Sequence, residues 1–199
     1  MKRIVVLGFL FLLFSCQKKE VLLSESNETV MADVKEPSPI YFFFKTEEKD
    51  TLIEVNKNNL TNSANLLLNI DKRLPLRKVI LEIKKLQANK HSENYFAYTD
   101  TVKKTIAFLP FTKMKYKLEK PDFNEFYFYL DRNDLVHFED EVFSKNELQA
   151  FLNKQAVPAS SIVFAYDKGM SFGKYIQYQF FVMHLITLKG ININKEYIY

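Results

Sequence analysis

The stretch Ser161-Ile162-Val163-Phe164-Ala165-Tyr166-Asp167-Lys168-Gly169-Met170-Ser171-Phe172-Gly173-Lys174-Tyr175 sets out a fold in one line of sequence. Ile162 to Tyr166 is an unbroken apolar and aromatic run that ends in an acid, as a buried strand does. A turn containing Gly169 follows. Ser171 is then placed to accept amide hydrogen bonds at a helix start. The apolar-rich segment Tyr175 to Leu188 stops at Lys189-Gly190, where glycine can supply a left-handed residue past a helix end. Tyr175 to Leu188 alone suits a strand as well as a helix, because it is rich in aromatic and β-branched residues; the Ser171 cap and the Gly190 stop favour the helix. It carries Gln177, Gln179 and His184 and is too short to span a bilayer, which needs about 20 apolar residues. Gly169, Gly173 and Gly190 are the only glycines after Gly8, so geometric demand concentrates here.

Outward from this stretch the sequence reads as α+β. Ile191 to Tyr199 is a last strand. Before the stretch, Phe126 to Leu130 is an aromatic strand, Asp131-Arg132-Asn133-Asp134 a polar turn and Leu135 to Phe138 a return strand, which together make a hairpin. Ser144-Lys145-Asn146-Glu147 fits a capping box that satisfies two free amides, and Leu148, Phe151 and Leu152 continue at helical spacing. Pro158 closes the loop. Further back, Tyr41 to Phe44 and Thr51 to Val55 flank the charged turn Lys45 to Asp50. Thr61-Asn62-Ser63 caps an expected helix with Leu66, Leu67, Leu68 and Ile70, Pro75 ends that helix or its loop, and Arg77 to Ile83 reads as a third strand. Between them, Tyr95 to Tyr98 fits either strand or helix, Pro110 interrupts Val102 to Phe111, and Met114 to Leu118 alternates like an exposed edge strand.

The order strand, turn, strand, capped helix, Pro, strand thus occurs twice. Phe42 matches Tyr127, Leu66 matches Leu148 and Pro75 matches Pro158, at separations of 85, 82 and 83 residues. The expectation is two small ββαβ-type modules, over residues 40–120 and 123–199, the second extended to ββαβαβ, with Lys120-Pro121-Asp122 as the boundary and the first a possible diverged repeat of the second.

The N-terminus has its own signature. Met1-Lys2-Arg3 precedes Ile4 to Phe14, which has no polar side chain, and Ser15-Cys16 follows. A positive end and a short apolar run describe a secretory signal over residues 1–15. Leu13-Phe14-Ser15-Cys16 resembles the bacterial lipobox. The resemblance implies cleavage before Cys16, diacylglycerol on its sulfur, and palmitate-type acylation. Cys16 is the only cysteine, so it has no internal disulfide partner. Residues 16–39 read as a flexible tether, ending in Lys35-Glu36-Pro37-Ser38-Pro39, with order beginning at Ile40. Extended, it would reach roughly 75 Å.

The second module resembles the periplasmic domain of the ExbD/TolR family. Its features are a strand–turn–strand, the helix opening at Ser144, a strand ending in Asp167, then Asp167-Lys168-Gly169-Met170-Ser171-Phe172-Gly173 before a second helix, and Gly190-Ile191 before a last strand. The family often has a Lys/Asp-Gly turn where this chain has Asp131-Arg132-Asn133-Asp134. The resemblance implies a soluble domain that dimerises or grips envelope partners or cell wall. Family members are held by a transmembrane helix carrying an acid used in proton-driven work. Here the apolar run has no acid and is expected to be cleaved, which leaves Cys16 as the anchor and makes proton coupling by this chain doubtful.

Composition narrows the function classes. Without Lys2 and Arg3 the chain has 26 basic and 24 acidic residues, interleaved, so there is no basic field for nucleic acid. No nucleophile elbow, metalloprotease helix, Walker loop or dinucleotide fingerprint occurs, and no cofactor or metal is expected. His137, Glu139 and Glu141 would share a face as a metal or acid–base cluster if their strand ran on; otherwise they form a solvated hairpin edge. His184 reads as a core or interface histidine, His91 as a loop residue, Glu47, Glu48 and Asp50 as a charged turn, and Asp167 as the residue that fixes its turn rather than a proton carrier. Phe126 to Tyr129 could stack on sugars, though alternate residues must face a core. The expected protein is a non-enzymatic lipoprotein at the periplasmic face of the outer membrane. It would act on envelope proteins, or as a homodimer, as an accessory to an ExbD/TolR-type transport system. The alternative is a ligand- or glycan-binding surface lipoprotein.

Overall fold

The computed structural model describes residues 19–25, 37–47, 50–56, 65–88, 98–100, 105–107, 115–122, 126–154, 162–189 and 195–199. Their architecture is α+β, with helices packed on mixed sheets. The first sheet has strand order β3-β2-β4, from β2 (Pro37–Glu47), β3 (Asp50–Asn56) and β4 (Asn65–Ile70). The helix α1 (Leu76–Ala88) follows β4. The second sheet has order β10-β9-β8-β11-β12-β7. It is built from β8 (Phe126–Leu130), β9 (Val136–Phe138), β10 (Glu141–Phe143), β11 (Ile162–Tyr166) and β12 (Lys195–Ile198), with β7 (Lys115–Lys117) on its far edge. Helices α2 (Lys145–Lys154) and α3 (Phe172–Lys189) belong to this half. A third, small sheet joins β1 (Ser24–Glu25), β6 (Thr105–Ala107) and β5 (Tyr98–Asp100).

Four expectations are corrected. Leu66 to Ile70 is not a helix but lies in β4, parallel to β2. A short apolar run is equally compatible with a buried strand and a helix segment, and parallel pairing with β2 decides for the strand. Arg77 to Ile83 is not a strand but lies in α1. Its buried residues, Leu76, Val79, Ile80, Ile83 and Leu86, recur at helical spacing, and that periodicity outweighs local β-branched content. Pro75 therefore closes the loop after β4 and stands at a helix start, where its fixed φ and missing N–H are tolerated. Order begins before Ile40: β2 starts at Pro37, and residues 19–25 of the expected tether are held against the fold by β1 pairing and by backbone bonds to Asp71 and Lys72. Lys115–Lys117, assigned by sequence to the first half, pairs in parallel with β12 of the second.

The two halves share a plan, in a register different from that of the sequence comparison. In each, a central strand pairs antiparallel with the strand after it and parallel with a later one: β2 with β3 and β4, β8 with β9 and β11. At the end of each parallel pair an aspartate amide donates to the central strand, Asp71 N to Phe42 O at 3.1 Å and Asp167 N to Leu130 O at 3.0 Å. Phe42 therefore matches Leu130, and not Tyr127. From the two aspartates onward the match is continuous, 96 residues apart: Leu74 N donates to Asp71 O and Met170 N to Asp167 O, each closing the turn before a helix. The second half is longer between its return strand and third strand, where β10 and α2 sit. Pro158 and residues 57–64 lie outside the described residues.

The matched turns meet each other. Leu76 N donates to Met170 O and Phe172 N to Leu74 O, both at 2.7 Å; Arg77 N donates to Lys168 O at 3.2 Å and Gly173 N to Lys72 O at 2.9 Å. Each bond has its reciprocal partner 96 residues away, which is the pattern of an isologous contact about a two-fold axis, here within one chain. Pro75 and Ser171 face each other as an antiparallel bridge on that axis. Ile40, Phe42, Leu68 and Ile70 of the first sheet and Val79, Ile80 and Ile83 of α1 lie in the same buried core as Phe128, Phe164, Tyr178 and Val182.

Candidate functional site

Two groups of ionisable residues stand out, one beside the two-fold contact and one buried under α3. The first begins with matched acids. Asp167 ends β11 and accepts from Gly169 N at 2.7 Å, which is the turn-holding role expected of it. Its other partner was not foreseen: Arg132, from the β8–β9 turn, donates through Nε at 2.7 Å and Nη2 at 2.9 Å. Asp71, at the matched position, is fully buried and accepts from Arg73 N, Nε and Nη2 and from Leu22 N. The two acids thus receive the same fork-to-carboxylate pairing from arginines in different places. Burial pushes each carboxyl up. The guanidinium and backbone amides outweigh it and hold both below the ordinary aspartate value.

Asp131 organises the neighbouring turn. It accepts from Asn133 N at 2.7 Å and Leu135 N at 3.0 Å, and its Oδ2 lies 3.1 Å from His137 Nε2. Burial raises this carboxyl, but the Leu135 amide, His137 and the Asn133 amide bring it below the ordinary value. Asp134 takes the left-handed φ of 67°, a conformation Asp tolerates better than most residues. Lys174, at the start of α3, ties itself to this turn through Arg132 O and Asp134 Oδ2, both at 2.8 Å. The Asp131–Arg132–Asp167–Lys174 group therefore locks hairpin, strand end and helix start together.

Of the two readings of His137, Glu139 and Glu141, the solvated hairpin edge is the one that forms. The chain turns back at Glu139, which has φ 51°, so Glu141 pairs opposite Phe138 on β10 and His137 turns to Asp131. Among the described residues no group of three or more His, Cys, Asp or Glu could hold a metal ion. His184 is exposed and not in the core, because α3 buries Tyr175, Ile176, Tyr178, Val182 and Leu185 on its other side. The Ser144 capping box is present, with Ser144 N donating to Glu147 Oε2 at 2.7 Å and Glu147 N to Ser144 Oγ at 3.3 Å. Ser171 Oγ caps α3 by accepting from Lys174 N at 3.3 Å, and Phe172 is buried. Gly169 and Gly173 serve close approach: a Cβ would meet Arg132 Nη2 at 2.5 Å in one case and Lys72 Cβ at 2.8 Å in the other. Cys16, Glu48, His91 and Gly190 lie outside the described residues.

The second group escaped the sequence reading. Glu196, in β12, is 1% exposed. Tyr175 Oη donates to its Oε2 at 2.7 Å and Gln179 Nε2 to its Oε1 at 2.6 Å. Gln179 Nε2 also lies 3.1 Å from the Tyr166 hydroxyl. Burial pushes this carboxyl up to about 7, with Tyr175 and Gln179 offsetting part of the rise. Burial and the nearby Glu196 raise the Tyr116, Tyr166 and Tyr175 hydroxyls well above the ordinary tyrosine value. The signal was available: strand alternation places Glu196 on the same face as Ile198, which is fully buried.

Among the described residues no helix is long and apolar enough to cross a membrane. Comparison of the chain with protein-family models, with curated proteins and with solved structures gives no match.

Proposed function

We propose that this chain is a lipid-anchored protein of the bacterial envelope that works through protein–protein contacts, with an ExbD/TolR-like second module and a diverged copy of it as the first. The observation that carries the reading is the reciprocal pairing of the two turn–helix segments about Pro75 and Ser171. The resemblance implies a soluble domain that dimerises; one chain here holds two such units in a symmetric contact. The anchor helix and its acid are replaced by lipid on Cys16. Proton-driven work then falls to a partner, and this protein is an accessory to an ExbD/TolR-type transport system at the periplasmic face of the outer membrane.

Strand β10 supplies a contact edge: Val142 is 54% exposed, beside a groove formed with Phe143, Ala150 and Phe151 of β10 and α2. A photo-crosslinking residue at Val142 in the full chain is expected to capture an ExbD/TolR-type subunit or its motor partner in growing cells. No such product, together with unchanged transport after loss of the protein, would sink the proposal. Cys16→Ser is expected to abolish fatty-acid labelling.

The alternative, a ligand- or glycan-binding lipoprotein, is favoured by one groove of about 510 Å³ where the stacked Tyr41 and Phe43 rings meet Asn56 and Asn69. Saturable glycan binding by the lipidated monomer, without envelope crosslinks, would put this reading first.

A further inference from the structure

The chain nearest Cys16 is not free to wander. Lys19 pairs with Glu54 of β3, and its ammonium lies 6.0 Å from the centre of the Phe43 ring. Leu22 is held twice, its N donating to Asp71 Oδ2 at 3.1 Å and its O accepting from Lys72 N at 2.7 Å. Ser24 and Glu25 pair with β6. Residues 19–25 are therefore held to the fold, and Lys19, Glu20, Val21 and Leu23 line a groove with Tyr41 and Phe43 on the side of β3-β2-β4 away from the core. That face carries Tyr41 and Phe43, stacked at 6.0 Å with 19° between planes, and beside it Leu22 is 37% exposed. The other side of the sheet, with Ile40, Phe42, Leu68 and Ile70, is the core.

Only Gln17 and Lys18 separate Lys19 from Cys16, so the covalent reach over these three Cα–Cα steps is at most about 11 Å. We infer that this aromatic face of β3-β2-β4 is a lipid-facing surface, seated on the same bilayer that holds the acyl chains of Cys16. The inference rests on the lipoprotein reading of Cys16. It replaces a long tether with a short leash, because a fixed Lys19 leaves no slack for the domain to stand away from the headgroups. The chemistry suits an interface, where amphipathic aromatic rings and snorkelling lysines settle. Lys19 pairs with Glu54, Lys45 with Glu47 and Arg73 with Asp71, and Glu20 lines the same grooves, so the face carries no excess of positive charge. Seating is therefore set by the anchor and the rings, with little dependence on anionic lipid or salt.

The chain has no tryptophan, so Phe43→Trp places a single reporter on the face and Val142→Trp a control on the far sheet edge. Each full-length lipidated variant is placed in phosphatidylethanolamine vesicles with brominated acyl chains, after mass spectrometry of Cys16 and a circular dichroism check of folding. Quenching several-fold stronger at position 43 than at 142 is the expected result. It should persist when phosphatidylglycerol is added and fall toward the control when a flexible Gly/Ser spacer of about ten residues, reaching roughly 18 Å, is inserted after Cys16. Equal weak quenching at both positions on an acylated protein overturns this inference alone. A Trp reporter at 43 that ignores brominated lipid but responds to peptidoglycan fragments overturns it in favour of a glycan groove. An unacylated Cys16 overturns both this inference and the lipoprotein reading.

Discussion

Glu196 and the turn aspartates pull stability in opposite directions with pH. Glu196 is raised in the folded state from 4.5 to about 7, so the folded chain binds that proton more tightly than the unfolded one. Its contribution is fully present below about 4.5 and is lost as pH rises toward 7; the loss amounts to about 3 kcal/mol. Asp71, Asp131 and Asp167 are held below 3.8. Their contribution is present above that value and is lost as pH falls through their lower folded values. Urea denaturation across pH should therefore show greatest stability at mildly acidic pH, near 4 to 5, with a decline toward neutrality. Glu196→Gln keeps a neutral hydrogen-bonding group, since the Tyr175 hydroxyl can rotate to accept. The variant should flatten the neutral limb and be more stable than the parent at pH 8; an unchanged limb would mean that another group sets it.

At the scale of elements, the strand–turn–helix motif holds because its glycines admit close neighbours. The two glycines should respond differently to alanine. At Gly169 the neighbour is the end of the Arg132 side chain, which can swing aside; at Gly173 it is Lys72 Cβ at 2.8 Å, with Lys72 O at 3.1 Å, on the partner turn. Gly173→Ala should cost about 1–3 kcal/mol, as overpacking does, and Gly169→Ala clearly less, measured by chemical denaturation. Helix α1 offers a test of its reassigned structure. Ile80 is fully buried on it, so Ile80→Ala should cost about 2–5 kcal/mol. Exposed Leu81, its neighbour on the opposite side, should tolerate polar replacement. A strand would also alternate at these two residues, so the deciding pair is Ile80 and Ile83, three apart and both buried, which a helix puts on one face and a strand on opposite faces.

For the whole molecule, the two halves are joined by the reciprocal turn bonds, by β7 completing the second sheet and by one continuous core. Unfolding should be a single cooperative transition, with amide exchange in β2 and β11 reporting the same global free energy. Two separated transitions would show that the halves are independent domains. Residues 40–120 alone should fail to fold, because Leu74, Leu76 and β7 lose their partners; the observable is the far-ultraviolet spectrum of the fragment.

The sequence by itself determined most local elements of the second half, but neither β10 nor the β7 edge of its sheet. Its hairpin, capping box, Asp167 turn, Ser171 cap and long helix follow from local chemistry, each set by residues close together in the chain. The identity of β4 and α1 was not legible from local content, since a short apolar run serves either as helix or as strand until a partner strand or a buried face chooses. The ion pair from Arg132 to Asp167, the burial of Glu196 under Tyr175 and Gln179, and the meeting of Pro75 with Ser171 join residues 17 to 96 positions apart. Such contacts are decided by packing, because only the assembled core removes the water that would otherwise satisfy these polar groups. The same holds for Lys19: by sequence it reads as tether, and only the tertiary contact with Glu54 and Phe43 holds it to the first sheet.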